Sequence, residues 1–207
     1  MDVVKEATKV VYNLYDNGSC DGQVICDFLS GFKGMLQMNA YNVYKLFDRK
    51  DSTITRYACM AHLRRKFVES LQTDSRSAEI MNLISEFYWI ERDCRIHFLS
   101  EDARREERRR RSVPLLGEIW QKIKPIFDET CGHASNLFIK AIRYAVNEWE
   151  AVCRYVRNGK AEIDNNTAER MMKPICLGRY LFCGSESAAK NTFLIYSIIE
   201  TCKMNGL

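Results

Sequence analysis

Histidine is scarce in this chain of 207 residues, with three copies, and none belongs to a His-Glu-x-x-His pair. A histidine-based zinc hydrolase is therefore excluded as a reading. No two of the nine cysteines have Cys-x-x-Cys spacing, which removes zinc ribbons and dithiol redox motifs. The cysteines fall instead in apolar segments, as in Ile25-Cys26, Val152-Cys153 and Thr201-Cys202, and read as buried, reduced thiols. There is no Gly-rich phosphate loop and no Gly-x-Ser-x-Gly elbow, so neither P-loop nor serine-hydrolase chemistry is indicated. No apolar run approaches the roughly 18 residues of a membrane helix. The opening Met1-Asp2-Val3-Val4-Lys5-Glu6 lacks the basic and apolar regions of a signal peptide. These absences imply a soluble, cytoplasmic protein. Repeats at a fixed period and low-complexity linkers are also missing.

What is present is an ordinary globular balance, 46% hydrophobic and 28% charged, with apolar mass enough for a core. Basic residues number 31 against 27 acidic ones, a net charge of +4. So mild an excess permits nucleic-acid binding without demanding it, and the distribution of charge must decide.

Two textures divide the chain. Over residues 8–60, β-type runs alternate with short helical patterns. Val10 to Tyr15 predicts a strand, followed by a turn at Asp16-Asn17-Gly18-Ser19. Val24, Phe28, Leu29 and Phe32 recur at helical spacing, with Gly31 and Gly34 ending that helix. Met35 to Asn39 predicts a short buried strand, and Tyr41, Tyr44 and Phe47 another short helix. Ile54 to Met60 predicts a third strand that leads into a basic helix near His62. Such alternation argues for an α/β unit.

Beyond residue 60 the pattern is nearly all helical. Ile80, Leu83, Ile84, Phe87, Ile90, Cys94 and Phe98 form one apolar stripe. Leu115, Leu116, Ile119, Trp120, Ile123 and Phe127 form a second, with Pro114 near its first turn. Phe138, Ile142, Ala145, Trp149, Val152 and Val156 form a third, closed by Asn158-Gly159. A last helix runs from about Lys190 to Met204.

Polar chemistry concentrates at Asp164-Asn165-Asn166-Thr167-Ala168-Glu169-Arg170. Asn166 with Glu169 three residues later fits a helix capping box, with Arg170 a surface cation. Alternatively, Glu169 is a metal-binding carboxylate at a helix start, with Arg170, Lys173 and Arg179 placed to hold phosphates. Cys59 and His62 have the spacing of two zinc ligands, but no second pair follows to complete a tetrahedral site. They read better as a strand end followed by a helix whose first turns carry His62, Arg64, Arg65 and Lys66. The densest basic run is Arg104, Arg105 and Arg108 to Arg111, broken by Glu106 and Glu107. It reads as a solvated helix face with local ion pairs, or as a nucleic-acid contact.

Several blocks together resemble the insertion sequence 66 family of transposases. Phe32-Lys33-Gly34-Met35-Leu36-Gln37, with Tyr41 and Tyr44 after it, is similar to that family's F-x-G-x-L-Q-T-D-G-Y-x-x-Y. Cys59-Met60-Ala61-His62-Leu63-Arg64-Arg65-Lys66-Phe67 resembles C-W-A-H-A-R-R-K-F, and Ile163 to Arg170 resembles I-D-N-N-x-A-E-R. Leu177-Gly178-Arg179, Leu181-Phe182-x-Gly184-Ser185 and Ile195 to Leu207 resemble the end of the same domain, and the blocks keep the family's order.

The resemblance implies an α/β, mostly helical chain: a partial RNase H-like α/β unit carrying a large α-helical insertion. Its expected divisions are 1–72 for the α/β part, 73–160 for the insertion and 161–207 for the closing helices. It further implies a DDE-type enzyme for DNA transposition, in which two Asp and one Glu hold a pair of Mg²⁺ ions that cut and join DNA strands. The Glu carries over onto Glu169. The second Asp falls on Asn39, whose neutral amide lacks the charge of a strong metal ligand. The first Asp belongs to a strand upstream of Met1. The resemblance thus leads us to expect a truncated, chemically disabled transposase piece without a functional metal. Its expected partners are DNA, held by His62, Arg64, Arg65, Lys66, Arg170, Lys173 and Arg179, and another copy or an intact relative. A non-catalytic DNA-binding module and a helical interaction module are the alternatives.

Overall fold

The computed structural model describes residues 9–13, 22–38, 42–48, 52–130, 136–178 and 184–207. In chain order its regular elements begin with helix α1 (Gly22–Phe28), strand β1 (Gly34–Met38), a 3-10 helix (Asn42–Asp48) and strand β2 (Ile54–Ala58). Helices α2 (Met60–Ser70), α3 (Arg76–Ile96) and α4 (Glu101–Glu107) follow. A π-helical turn (Arg108–Ser112) joins α4 to α5 (Val113–Glu129), and α6 (Leu137–Cys153) runs into a 3-10 turn (Arg154–Arg157). Helices α7 (Asn166–Gly178) and α8 (Glu186–Met204) close the chain. The chain divides into two compact units, Gly31–Asn165 and the two chain ends, Met1–Ser30 with Asn166–Leu207.

In the larger unit, β1 and β2 pair in parallel, with Gly34 opposite Ile54 and Met38 opposite Ala58. Parallel neighbours require a crossover, and the 3-10 helix lies in it. The protein is thus mostly helical, with a small two-stranded parallel sheet. The helices behind it share one core. Leu63 and Phe67 of α2, Ile84 and Phe87 of α3, Ile119 and Ile123 of α5, and Phe138 and Ile142 of α6 are all buried. Their spacing of three and four residues puts each set on one helical face, which is why the three apolar stripes of the sequence become the core.

Two ionic clusters are sealed into this unit. Arg56 of β2 donates to Glu148 of α6 at 2.6 Å and to Asp48 at 2.9 and 2.6 Å. Arg154 reaches the other Asp48 oxygen at 3.1 Å. Arg108, wholly buried, donates through Nε and Nη2 to both carboxylate oxygens of Glu91, at 2.7 and 2.8 Å. Its remaining N–H groups go to the carbonyls of Tyr155, Asn158 and Ala161 at 3.1, 2.6 and 2.9 Å. All five guanidinium donors are therefore used, the condition under which a buried charge is tolerated.

Several sequence expectations are corrected. Val10 to Tyr15 was expected as a strand, but residues 9–13 form none; residues 14 and 15 lie outside the described residues. Their backbone instead bonds side chains of α8. Val11 N–H donates to Thr201 Oγ1 at 2.9 Å and Asn13 N–H to Ser197 Oγ at 2.8 Å, while Asn205 Nδ2 donates to the Lys9 carbonyl at 2.7 Å. Alternate residues of an extended chain recur every ~6.6 Å, and every fourth helical residue every ~6 Å, so the two rows stay in step. Polar backbone must be paired, and here helix side chains replace a neighbouring strand.

The apolar stripe of α3 does not reach Phe98. The helix ends at Ile96, and Phe98 takes a left-handed backbone (φ 49°) with 94% of its surface exposed. Leu99 N–H bonds the Cys94 carbonyl and Phe98 N–H that of Arg95, a Schellman ending whose left-handed position is usually Gly. Pro114 stands in the first turn of α5, as expected, but α5 does not begin afresh there. The helical run is continuous from Glu101 to Glu129, and the wide π turn before Pro114 accommodates its missing N–H and its ring. Finally, α7 includes Asn166 as its first residue, one step earlier than a cap at that position requires.

Candidate functional site

Three blocks that are distant in sequence meet within the larger unit. At the β2–α2 junction, Met60 N–H donates to the Ile163 carbonyl at 3.1 Å. Asn165 N–H points at the buried Cys59 sulfur at 3.5 Å. From β1, Gln37 Nε2 donates to the Glu162 carbonyl at 2.7 Å. The strand of the Gly34-Met35-Leu36-Gln37 block, the Cys59-Met60-Ala61-His62 block and the Ile163-Asp164-Asn165 segment are thus adjacent.

Asp164 is held from α3 by a hydrogen bond with the Tyr88 hydroxyl. Burial, and then the negative charge of Asp164, push the Tyr88 hydroxyl far above its ordinary range. Tyr88 therefore stays protonated and donates. Burial likewise pushes the Cys59 thiol up, which keeps it a neutral, packed group rather than a thiolate ligand. Asp164 reads from this geometry as an anchor of the signature.

The loop that delivers the signature is fixed from its other side by the basic run. Arg108 ties down the carbonyls of Tyr155, Asn158 and Ala161 as described. Gly159 packs so closely on α4 that a Cβ there would lie 1.9 Å from the Glu101 carbonyl oxygen. Arg105, Arg109 and Arg110 behave as local pairing predicts, whereas Arg104 reaches Glu162 at 3.4 Å and Arg111 reaches Asp93 at 2.8 Å. Arg110 meets Glu107 at 2.8 Å and Arg109 meets Glu106 at 3.8 Å, all near the surface. The reading of the run as wholly solvated is therefore wrong at Arg108.

Of the expected DNA contacts, Arg65 is exposed, and His62, Arg64 and Lys66 are half-buried on α2. Lys66 pairs with Glu69 at 3.1 Å, whereas Arg64 and Arg65 form no ion pair among the described residues. In the other unit, Glu169 is half-buried on the first turn of α7, and Arg170 and Lys173 are exposed at i, i+3 spacing on the same helix. Arg170 also donates to Thr167 Oγ1 at 3.0 Å. Asn39 and Arg179 lie outside the described residues.

No three His, Cys, Asp or Glu side chains among the described residues converge as metal ligands. Cys59 and His62 fail as a zinc pair on the same count. Mg²⁺ needs several charged oxygens around it, and no such set is gathered among the described residues. No described helix is long and apolar enough to cross a membrane.

Sequence reasoning missed Tyr88, Gln37 and the Arg108–Glu91 pair. Glu91 was detectable: Ile80, Ile84, Phe87, Glu91 and Cys94 step by four and three, so an acid stands inside the apolar seam. A charge in that register requires a buried partner. Which cation supplies it, seventeen residues on, has no local signal.

Comparison with known proteins places the chain in a family. The family described as "Transposase IS66 family" matches residues 3–191. The chain belongs to the IS66 transposase family. Two proteins of Sinorhizobium fredii (strain NBRC 101917 / NGR234) are similar to it. "Uncharacterized protein y4qI" is 31% identical over 96% of this chain and 38% of its own length. "Uncharacterized protein y4jD" is 30% identical over 86% of this chain and 36% of its own length. The chain thus spans a little over a third of these relatives. No solved structure matches it.

Proposed function

We propose that this chain is a transposase-family DNA-binding module in which strand cleavage and transfer have been lost. The observation that carries the reading is the placement of Arg64 and Arg65. Both stand on the first turns of α2 without ion pairs among the described residues, directly after the junction on which the signature is anchored. Guanidinium groups with no internal partner suit phosphate oxygens, which they bind in forked geometry. Lys66 and His62 lie on the same helix, and Arg170, Lys173 and Arg179 are proposed as DNA contacts of the other unit in their own right.

Loss of chemistry rests on Asn39. An amide in place of the second Asp removes one negative charge from a site that must hold two divalent cations, and leaves Glu169 a remnant of the carboxylate set. The parallel β1–β2 pair, joined by a crossover and followed by a basic helix, supports an RNase H-like reading of the α/β part. The helices over 73–160 then form its insertion, and residues from 161 onward its closing part. Transposon-end DNA is the proposed partner, and the cytoplasm the proposed site of action.

A second reading, a helical interaction module, is favoured by α8. Leu194, Ile195 and Ile198 on that helix are each more than half exposed, a row of apolar side chains suited to another copy or an intact relative.

Gel retardation of labelled duplex DNA, with and without Mg²⁺ or Mn²⁺, tests the first reading. Retardation that weakens steeply with salt, and is reduced in Arg64→Gln/Arg65→Gln, is expected, without nicking. Metal-dependent nicking abolished by Glu169→Ala would overturn loss of chemistry. Absence of retardation at low salt would overturn DNA binding, and self-association of the same sample would then favour α8.

A further inference from the structure

An open groove of about 580 Å³ lies between α5 and α6, and no motif block contributes to it. Trp120 and Trp149 stack against one another in its wall, ring centroids 5.2 Å apart and planes 28° from parallel. Arg105, Arg109 and Arg157 stand around it, with Glu106 the one acid among its lining residues. Arg157 forms no ion pair among the described residues. Arg105 and Arg109 are held only by Asp102 at 3.0 Å and Glu106 at 3.8 Å, and all four of these side chains are more than half exposed. Exposed pairs of this kind are weak and easily exchanged for a polyanion.

Gly117 sharpens the picture. It lies within α5, where glycine weakens a helix, yet a Cβ there would meet nothing within 4 Å. Packing does not require the glycine. Its effect is to keep the groove open one turn from Trp120.

We propose that this groove binds single-stranded nucleic acid, with a base against the tryptophan pair and neighbouring phosphates on Arg105, Arg109 and Arg157. Stacking needs an unpaired base, because the faces of a duplex base are already covered. An acidic peptide would use the arginines but leave the aromatic wall idle. An uncharged apolar ligand would do the reverse. The combination of a π surface and a positive rim, with a net excess of two cations in the lining, selects a strand that offers both. None of these residues belongs to the proposed duplex interface.

The test uses the whole chain carrying Trp89→Phe, so that only Trp120 and Trp149 emit. An oligothymidylate of about eight nucleotides is titrated at low salt and tryptophan quenching is followed. Saturable quenching that weakens with salt is expected. Gly117→Leu, which improves the helix while filling the groove, should cut affinity at least about tenfold, the scale of losing one stacked base. Arg105→Gln/Arg157→Gln keeps the test decisive should the leucine variant not fold, and is expected to weaken binding and flatten its salt dependence. No quenching, quenching that survives both variants, or equal quenching by polyglutamate would overturn the proposal. Arg64→Gln/Arg65→Gln should reduce duplex retardation and leave this quenching unchanged, so the two readings fail separately.

Discussion

Arg108 illustrates how far one residue's role can differ from its neighbours'. It sits among five other arginines within eight positions, yet it alone is wholly buried, and its five donors tie α3 to the loop that carries the signature. Breaking a buried ion pair leaves an uncompensated charge, so Arg108→Met should cost about 3–5 kcal/mol of stability in urea unfolding. Replacing both partners, as Arg108→Met with Glu91→Leu, should cost less than the single change. A loss below ~1 kcal/mol for Arg108→Met would show that the pair is not structural.

Asp48 makes a pH-dependent contribution. Burial raises its carboxyl pKa, but hydrogen bonds and charge from Arg56, and then from Arg154, outweigh this and hold it below the ordinary 3.8. A carboxylate with a lowered folded-state pKa stabilises the fold above its unfolded value, and this stabilisation is lost as pH falls through the folded one. Asp48→Asn should therefore be less stable than the parent near neutral pH. The gap should narrow once pH drops below 3.8. A gap that stays constant down to that range would contradict the role given to Asp48.

At the scale of elements, α3 carries a strained ending. Phe98 occupies a left-handed position with its ring in solvent, a conformation that costs a side-chain residue about 1–2 kcal/mol. Glycine relieves that cost but loses more chain entropy on folding. Phe98→Gly should therefore raise stability by a net ~0.5–1 kcal/mol, read as a higher thermal midpoint. A lowered midpoint would mean that the exposed ring contributes packing.

The helices were largely legible because one-sided burial writes a period of three and four into α3, α5 and α6. The strands β1 and β2 were legible as short apolar runs between glycines and turns, although β1, expected to be buried, is buried only at Met38. Val10 to Tyr15 misled because strand-forming residues report an extended backbone and not its partner. Here the partner is a row of Ser197, Thr201 and Asn205 side chains on a helix nearly two hundred residues away. The π turn before Pro114 was invisible because its cause is tertiary, the demand that Arg108 face inward while Pro114 stays in the helical run.

For the candidate site, the sequence supplied the motif blocks but not their connections. Gln37 on the Glu162 carbonyl, Met60 on the Ile163 carbonyl and Tyr88 on Asp164 are contacts across 76 to 125 residues, each made by a side chain or amide with no distinguishing local pattern.

At the scale of the whole molecule, a chain of the IS66 transposase family brings three of its motif blocks together in the larger unit. The core, the buried Arg108 and Arg56 clusters and the anchoring of Asp164 all maintain structure. Arg64 and Arg65 form no ion pair among the described residues, which is why they carry the proposed DNA contact.

The most direct test is a single gel on which the purified chain meets labelled duplex DNA with Mg²⁺ or Mn²⁺ across a salt series. We expect salt-sensitive retardation and intact strands at every metal concentration. Metal-dependent nicks that disappear in Glu169→Ala would contradict the proposal.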